Sequence, residues 1–353
     1  MDEQVSVTDL KNISGYISPR NNSAPAEFYV SVWIRTPIIF SVSFFVITSN
    51  ILNISILRRT RTIPHISKLC LTNLSIADLS VGLVTCAQCV VSAALGYWPY
   101  GDVWCQIAGV SHGASGCVSI WNLSYVSIDR YIALVKPLQY PSMVTTKRCY
   151  TVLASCWVFA VTTFASVIFT KPDFIYYRFS FTEGICGLHW EYPLFCIITG
   201  MAIPFSSGSV IVFTTVSILR TLKTSEFVTA GSSTSRQRTR RDVKAVKILS
   251  ITAGMFFMCW GPYTASVIMS AFDPSIHTPK ELQFTFLWLA NSNSFMNVII
   301  YSAVYEAFRH EVKVILVPAA CFRRRDPDAH SSMTSIALSS QTTIQRTDRS
   351  DTF

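Results

Sequence analysis

The chain has 353 residues, half of them hydrophobic and only 14% charged, with a mean hydropathy of +0.38. A soluble domain carries about 25% charged residues, so this composition excludes an ordinary soluble protein and points to a membrane protein. The formal charge of +9 does not imply a nucleic-acid partner, because the basic residues sit in short polar breaks between apolar runs and in the tail.

The chain opens on a polar segment, residues 1–31, expected to be extracellular. Its start, MDEQVSVTDLKNISGY, lacks a basic region followed by an apolar core, so no cleavable signal is expected and the first span would direct its own insertion. A helix needs about 20 apolar residues to cross a bilayer. Seven segments approach this: Val32–Leu57, Ile66–Leu95, Trp104–Val135, Tyr150–Thr170, Tyr192–Leu222, Ala245–Phe272 and Gln283–Val304. The third is broken by polar residues and is the weakest on hydropathy; the fourth, sixth and seventh read as strong. After them, residues 305–321 place Phe308, Val312 and Ile315 at helical spacing, as in an amphipathic helix lying on a membrane surface. Residues 224–241 and the tail, 322–353, have a composition that cannot build a core. The expected fold is an all-α membrane protein: a seven-transmembrane helix bundle over 32–304, a short amphipathic helix 8 and a disordered cytoplasmic tail.

Basic residues set the orientation. Arg58, Arg59 and Arg61 follow the first span, Lys136, Lys147 and Arg148 follow the third, and Arg236, Arg238, Arg240 and Arg241 precede the sixth. The alternate breaks are poor in Lys and Arg, which puts the N-terminus outside and the C-terminus in the cytoplasm. The sequons at Asn12 and Asn21 then face outward as glycan sites. Those at Asn53, Asn73 and Asn122 fall within spans and read as chance matches.

Most of the eleven cysteines, among them Cys70, Cys86, Cys89, Cys117, Cys156 and Cys259, lie inside apolar runs and read as small buried hydrophobes. No Cys-x-x-Cys pair stands in a polar context, so no zinc is expected. Cys105 and Cys186 differ in lying in or beside polar breaks.

Motifs then accumulate in a fixed order: SNILN at Asn50, NLSIADL at Asp78, WPYGDVWC ending at Cys105, SIDRYIALVKPLQY around Arg130, Trp157, Pro204, FFMCWGPY around Trp260, and NVIIY ending at Tyr301. Together they resemble the rhodopsin-like (class A) G-protein-coupled receptors, over about residues 30–320. The resemblance implies a disulfide between Cys105 and Cys186. It implies an outer ligand pocket lined by Gln88, His112, Ser115, Gly116, Cys196 and Gly200, with Tyr263, Thr264, Val267, Trp288 and Asn291 from the last two spans. It also implies an activation relay. Asp129 and Arg130 end the third span, and Asp242 is the expected ionic partner of Arg130. Pro262 kinks the sixth span at Trp260, with Phe256, Ile120 and Pro204 beside it and Tyr301 further in.

Asp78 is a lone intramembrane carboxylate, which is a functional-site hypothesis by default. Its expected partners are Asn50, Ser119, Asn293, Ser294 and Asn297, and in the family such a cluster holds a sodium ion. The competing reading is a set of structural interhelical hydrogen bonds. His112 stands where amine receptors carry an aspartate, which disfavours biogenic amines. Asn291 stands where an opsin has its lysine, so no retinal is expected. The ligand class stays open among a lipid, a small neutral molecule and a short peptide. Val298 replaces the family's proline and Val212 a frequent tyrosine.

The resemblance further implies a heterotrimeric G protein docking at Arg130 and Leu138, arrestin and receptor kinases on the tail, and palmitoylation of Cys321 at the plasma membrane. WLANSNSFMN and SIDRYIALVKPLQY resemble a small group of orphan receptors that stimulate adenylate cyclase. A high basal activity and a second outer loop occupying the pocket through CGLHWEY are the matching expectations. A transporter or channel is the alternative, but no internal repeat supports one. An enzyme is not expected, because no His/Asp cluster or Ser–Lys pair lies within the spans.

Overall fold

The computed structural model describes residues 31–60, 63–170, 175–190, 194–228, 233–273, 275–276, 278–304 and 306–316. Asn12, Asn21 and Cys321 lie outside the described residues, as do the side chains of Asp242 and Cys196. The long helices are α1 (Val32–Arg59), α2 (His65–Leu95), α3 (Gly101–Val135), α4 (Thr146–Ala165), α5 (Ile203–Val228), α6 (Ser233–Phe272) and α7 (Lys280–Val304). A short helix, α8 (Glu306–Leu316), follows. Two antiparallel strands, β1 (Ile175–Ser180) and β2 (Ile185–Trp190), form a hairpin between α4 and α5.

On length and composition, five of the described helical segments can cross a membrane: Val32–Arg59, His65–Leu95, Thr146–Phe169, Ile198–Leu222 and Val246–Phe272. The other two, α3 and α7, are too polar for that test. For α3 this matches the sequence reading. For α7 it corrects it, because Asn291, Ser292, Asn293, Ser294 and Asn297 dilute an otherwise apolar run. Both helices are enclosed on several sides by their neighbours. α3 packs on α2, α4, α5 and α6, and α7 on α1, α2, α6 and α8. Polar side chains survive in spans by bonding internally. Ser43 donates to the Ile39 carbonyl at 2.7 Å and Thr252 to that of Ile248 at 2.9 Å. Asn73 accepts from Trp157 Nε1 at 2.9 Å and Asn53 donates to Ser75, so two of the in-span sequons are bundle contacts.

Boundaries differ most for α6, which begins at Ser233 rather than near Ala245. Hydropathy registers only the apolar part, whereas the Arg, Gln and Lys residues ahead of it are good helix formers. Within α2, a π-turn at Val81–Cys86 adds a residue to the turn and rotates everything beyond it. Phe308 of α8 is buried, and Val312 and Ile315 pack on the same cluster with Ile56, Ile300 and Tyr301. That apolar face seats α8 under α1 and α7.

The hairpin is registered from Ile175 opposite Trp190 to Ser180 opposite Ile185, with Gly184 left-handed at φ 71° in its turn. Ile185, 1% exposed, enters the cluster formed by Ile39, Val46, Cys89, Leu287 and Trp288. The tip therefore descends into one mouth of the bundle on the α1–α2–α7 side.

Candidate functional site

Cys105 and Cys186 form a disulfide, fastening the second strand of the hairpin to the start of α3. The tip is held by polar contacts from three further helices. Arg35 of α1, 2% exposed, donates to the carbonyl of Ala93 at 2.8 Å and to that of Phe181 at 3.2 Å. Trp288 of α7 donates through Nε1 to the Glu183 carbonyl at 2.8 Å. The Glu183 carboxylate accepts from Tyr263 of α6 and from Ser180. Burial outweighs these two bonds and lifts that carboxyl to about 7.

Beside the tip lies a cavity of about 180 Å³. Its floor is Trp260 and Phe256, stacked with centroids 6.0 Å apart, and Ile120 and Pro204 close its inner end. Of the residues expected to line a pocket, His112, Gly116, Gly200, Tyr263, Thr264 and Val267 do so. Four others are turned elsewhere. Ser115 bonds Ser80 of α2 at 2.6 Å, and Asn291 bonds His112 Nε2 at 2.9 Å. Trp288 is covered by the tip, and Gln88, with its Oε1 buried and without a hydrogen-bond partner, is not in the cavity wall. Pockets for drug-sized ligands run to about 300–1,000 Å³; this smaller cavity has Ile185, Gly187 and Leu188 of the hairpin in its wall.

Sequence reasoning missed Gly109, Gly113, Phe164 and Tyr177. The signal was available, since Gly109, Gly113 and Gly116 recur on one face of α3. The Tyr177 ring lies where a side chain on Gly109 would project, and the Phe164 ring lies likewise over Gly113. Gly116 and Gly200 are open, with nothing nearer than 3.6 Å to an added Cβ.

Deeper in the bundle, Asp78 accepts from Ser119 at 3.4 Å and from Asn297 Nδ2 at 2.9 Å, and Ser294 is a third partner. Asn50, expected beside the carboxylate, instead donates to the backbone carbonyl of Ser294 at 2.9 Å and to that of Val46. Its Oδ1 is buried without a hydrogen-bond partner. Asn293 is buried, but no bond to Asp78 is among its described contacts. With Val298 in place of proline, α7 runs unbroken past this cluster. Val212 is 63% exposed, on the outer face of α5.

At the end of α3 away from the hairpin, Arg130 donates to Asp129 through Nε at 3.0 Å and through its terminal nitrogen at 2.5 Å. Asp129 also accepts from Tyr140 at 2.9 Å and from Ser67 at 3.3 Å, joining α3 to α2 and to the turn Tyr140–Met143. Burial, reinforced by the Asp129 charge, holds the Tyr140 phenol up at about 12, so it stays a donor at any physiological pH. Leu138 is 96% exposed. Tyr301 is buried against Phe308, with ring centroids 5.9 Å apart.

Comparison with known proteins converges on one family. Residues 49–301 match the 7 transmembrane receptor (rhodopsin family) model. The alpha-1A adrenergic receptor of Oryctolagus cuniculus is 26% identical, over 90% of this chain and 76% of that one. Trace amine-associated receptor 13c of Danio rerio is 28% identical over 69% and 74%. Tachykinin-like peptides receptor 99D of Drosophila melanogaster is 28% identical over 88% and 62%. The fold matches a crystal structure of squid rhodopsin with a TM-score of 0.71 at 17% identity, covering 80% of this chain and 85% of that one. The chain therefore belongs to the rhodopsin family of seven-transmembrane receptors, multi-pass membrane proteins that signal through heterotrimeric G proteins and are not enzymes.

Proposed function

We propose that this receptor acts at the plasma membrane, N-terminus outside, and that its own second outer hairpin occupies the ligand pocket and sustains basal signalling through a stimulatory G protein to adenylate cyclase. The observation that carries the reading is the seat of the hairpin: Ile185 is buried among α1, α2 and α7, and Leu188 borders the cavity above Trp260. A ligand and a G protein each bias one shared equilibrium of the bundle, and a segment already seated acts as the ligand does. Relatives named for adrenergic, trace-amine and tachykinin-like ligands offer amines and peptides as candidates. His112, bonded to Asn291, supplies no fixed negative charge for an ammonium, so we favour a small neutral occupant for the remaining cavity. Arg130 and Leu138 would meet the G protein, and the tail arrestin and receptor kinases.

A sodium ion at Asp78 belongs to the same proposal. The donor set is all oxygen, from Asp78, Ser119, Ser294 and the unpartnered Asn50 Oδ1, which suits a hard cation. Bound there, the ion supplies positive charge against the carboxylate. The chain's own contribution is to hold α2, α3 and α7 on one carboxylate through Ser119 and Asn297.

The deciding experiment is basal cAMP in transfected cells at matched surface expression, against Arg130→Ala. Output above the Arg130→Ala level is expected without added ligand. Equal output in the two would overturn self-sustained signalling through adenylate cyclase.

A further inference from the structure

Glu183 is a carboxylate set into the bundle mouth among neutral groups. Its oxygens meet the hydroxyls of Tyr263 and Ser180, its backbone carbonyl takes the Trp288 indole, and Gly187 lies beside it. Among the described residues no cation stands within ion-pair distance of it; Arg130–Asp129 is the ion pair they form. A charge placed there is neither solvated nor paired, which disfavours the ionised form.

We propose that Glu183 is a proton-binding site that controls the seating of the outer hairpin: protonated, it locks the tip against α6 and α7, and ionised, it releases the tip toward water. This deepens the reading above, in which the seated tip sustains signalling, by adding extracellular acidity as a ligand of the same site. A protonated carboxyl both donates and accepts, so it satisfies the Tyr263 and Ser180 hydroxyls without leaving a charge buried. In the released tip the carboxyl is solvated and keeps its ordinary acidity, near 4.5, whereas in the seated tip burial lifts it to about 7. The seated form thus holds a proton that the released form has lost. Seating is strongest below the lower value and weakens as pH rises through the upper one. Between pH 8 and pH 6 the seated-to-released ratio should rise about tenfold.

The neighbouring charges have been given other partners or lie elsewhere. Arg35 of α1 binds the Ala93 and Phe181 carbonyls. His112 of α3 bonds Asn291 of α7, and α2 brings only the buried thiols Cys86 and Cys89. α7 carries Lys280 and Glu281 in its first turn, one helix end away from Trp288. On the hairpin itself, Arg178 is exposed, and His189 stacks on Tyr176 with centroids 5.6 Å apart. Burial and the Arg178 charge lower the His189 pKa, so this histidine is the competing titrating group.

The test is hydrogen exchange of the hairpin amides, residues 175–190, in purified full-length receptor in lipid nanodiscs at pH 6 and pH 8, corrected for intrinsic exchange rates. The wild type should be about tenfold more protected at pH 6. Glu183→Gln, a neutral isostere, should be protected equally at both, and His189→Gln should keep the wild-type dependence. Protection independent of pH in the wild type, a dependence that survives in Glu183→Gln, or one abolished in His189→Gln would each overturn the proposal. Basal cAMP is read in parallel on cells. A pH-dependent seat with pH-independent output supports the proton site while refuting the signalling role of the tip.

Discussion

Arg35 offers the sharpest test of how the hairpin is anchored. It is a guanidinium buried in the first span, and its two described acceptors are backbone carbonyls. One, Ala93, lies in the last turn of α2, where carbonyls lack intrahelical partners. Removing the donor in Arg35→Met keeps most of the apolar stem but strands both carbonyls. A hydrogen bond from a charged donor contributes about 1.5–3 kcal/mol. The Phe181 carbonyl belongs to a half-buried contact and can be rehydrated, so the loss falls mainly on Ala93. Relief from burying a charge offsets part of it. The balance is about 1–2 kcal/mol, a fall of about 3 °C in the melting temperature of the purified receptor. Arg35→Lys, with one ammonium in place of a fork, should recover about half of this. A fall of less than about 1 °C in Arg35→Met, or full recovery by lysine, would refute the two-carbonyl clamp.

Three further outcomes are expected. Gly109→Ala and Gly113→Ala should lower the melting temperature, because the added carbon meets the Tyr177 and Phe164 rings, at about 1–3 kcal/mol each. Gly116→Ala should be neutral or stabilising, since its cavity is open and alanine gains about 1 kcal/mol of helix propensity; equal losses at all three sites would contradict the packing argument. Asp129→Asn should raise basal cAMP about fivefold at equal surface expression, because the part-buried Arg130 contact is worth about 1 kcal/mol net of desolvation; unchanged output would remove Asp129 as a restraint. If sodium binds at Asp78, sodium chloride at ten times its dissociation constant should raise the melting temperature about 3 °C over potassium chloride, and Asp78→Asn should abolish the difference. Identical melting in both salts would remove the ion.

Much of the fold was legible because seven apolar runs and a set of spaced polar landmarks leave little freedom. Asp78, Ser119 and Asn297 meet, as the family resemblance led one to expect. What stayed hidden has local causes. The π-turn in α2 adds a residue to the helix without changing composition, so the sequence does not announce it. Nothing in the charge of Arg35 announces that it reaches the backbone carbonyls of Ala93 and Phe181. The sequence suggested that this loop enters the pocket, but not that it does so as the strand pair Ile175–Ser180 and Ile185–Trp190, whose seat depends on contacts with Ile39, Trp288 and Tyr263, far away in sequence.

The seated hairpin also changes what an affinity measurement on this receptor means. A segment fastened at Cys186 and held at Phe181 cannot diffuse away, so it competes at an effective concentration that tethering commonly puts in the millimolar range. Any molecule aimed at the space beside Trp288 and Ile39 has to displace it, and its apparent affinity is weakened by the fraction of receptors already filled. A molecule entering between Gly116, Gly200 and Thr264 meets no such competitor. Two ligands of equal intrinsic strength would therefore rank differently according to which side of the tip they enter, and shortening or stiffening the tether would reorder them without altering a single contact in the pocket.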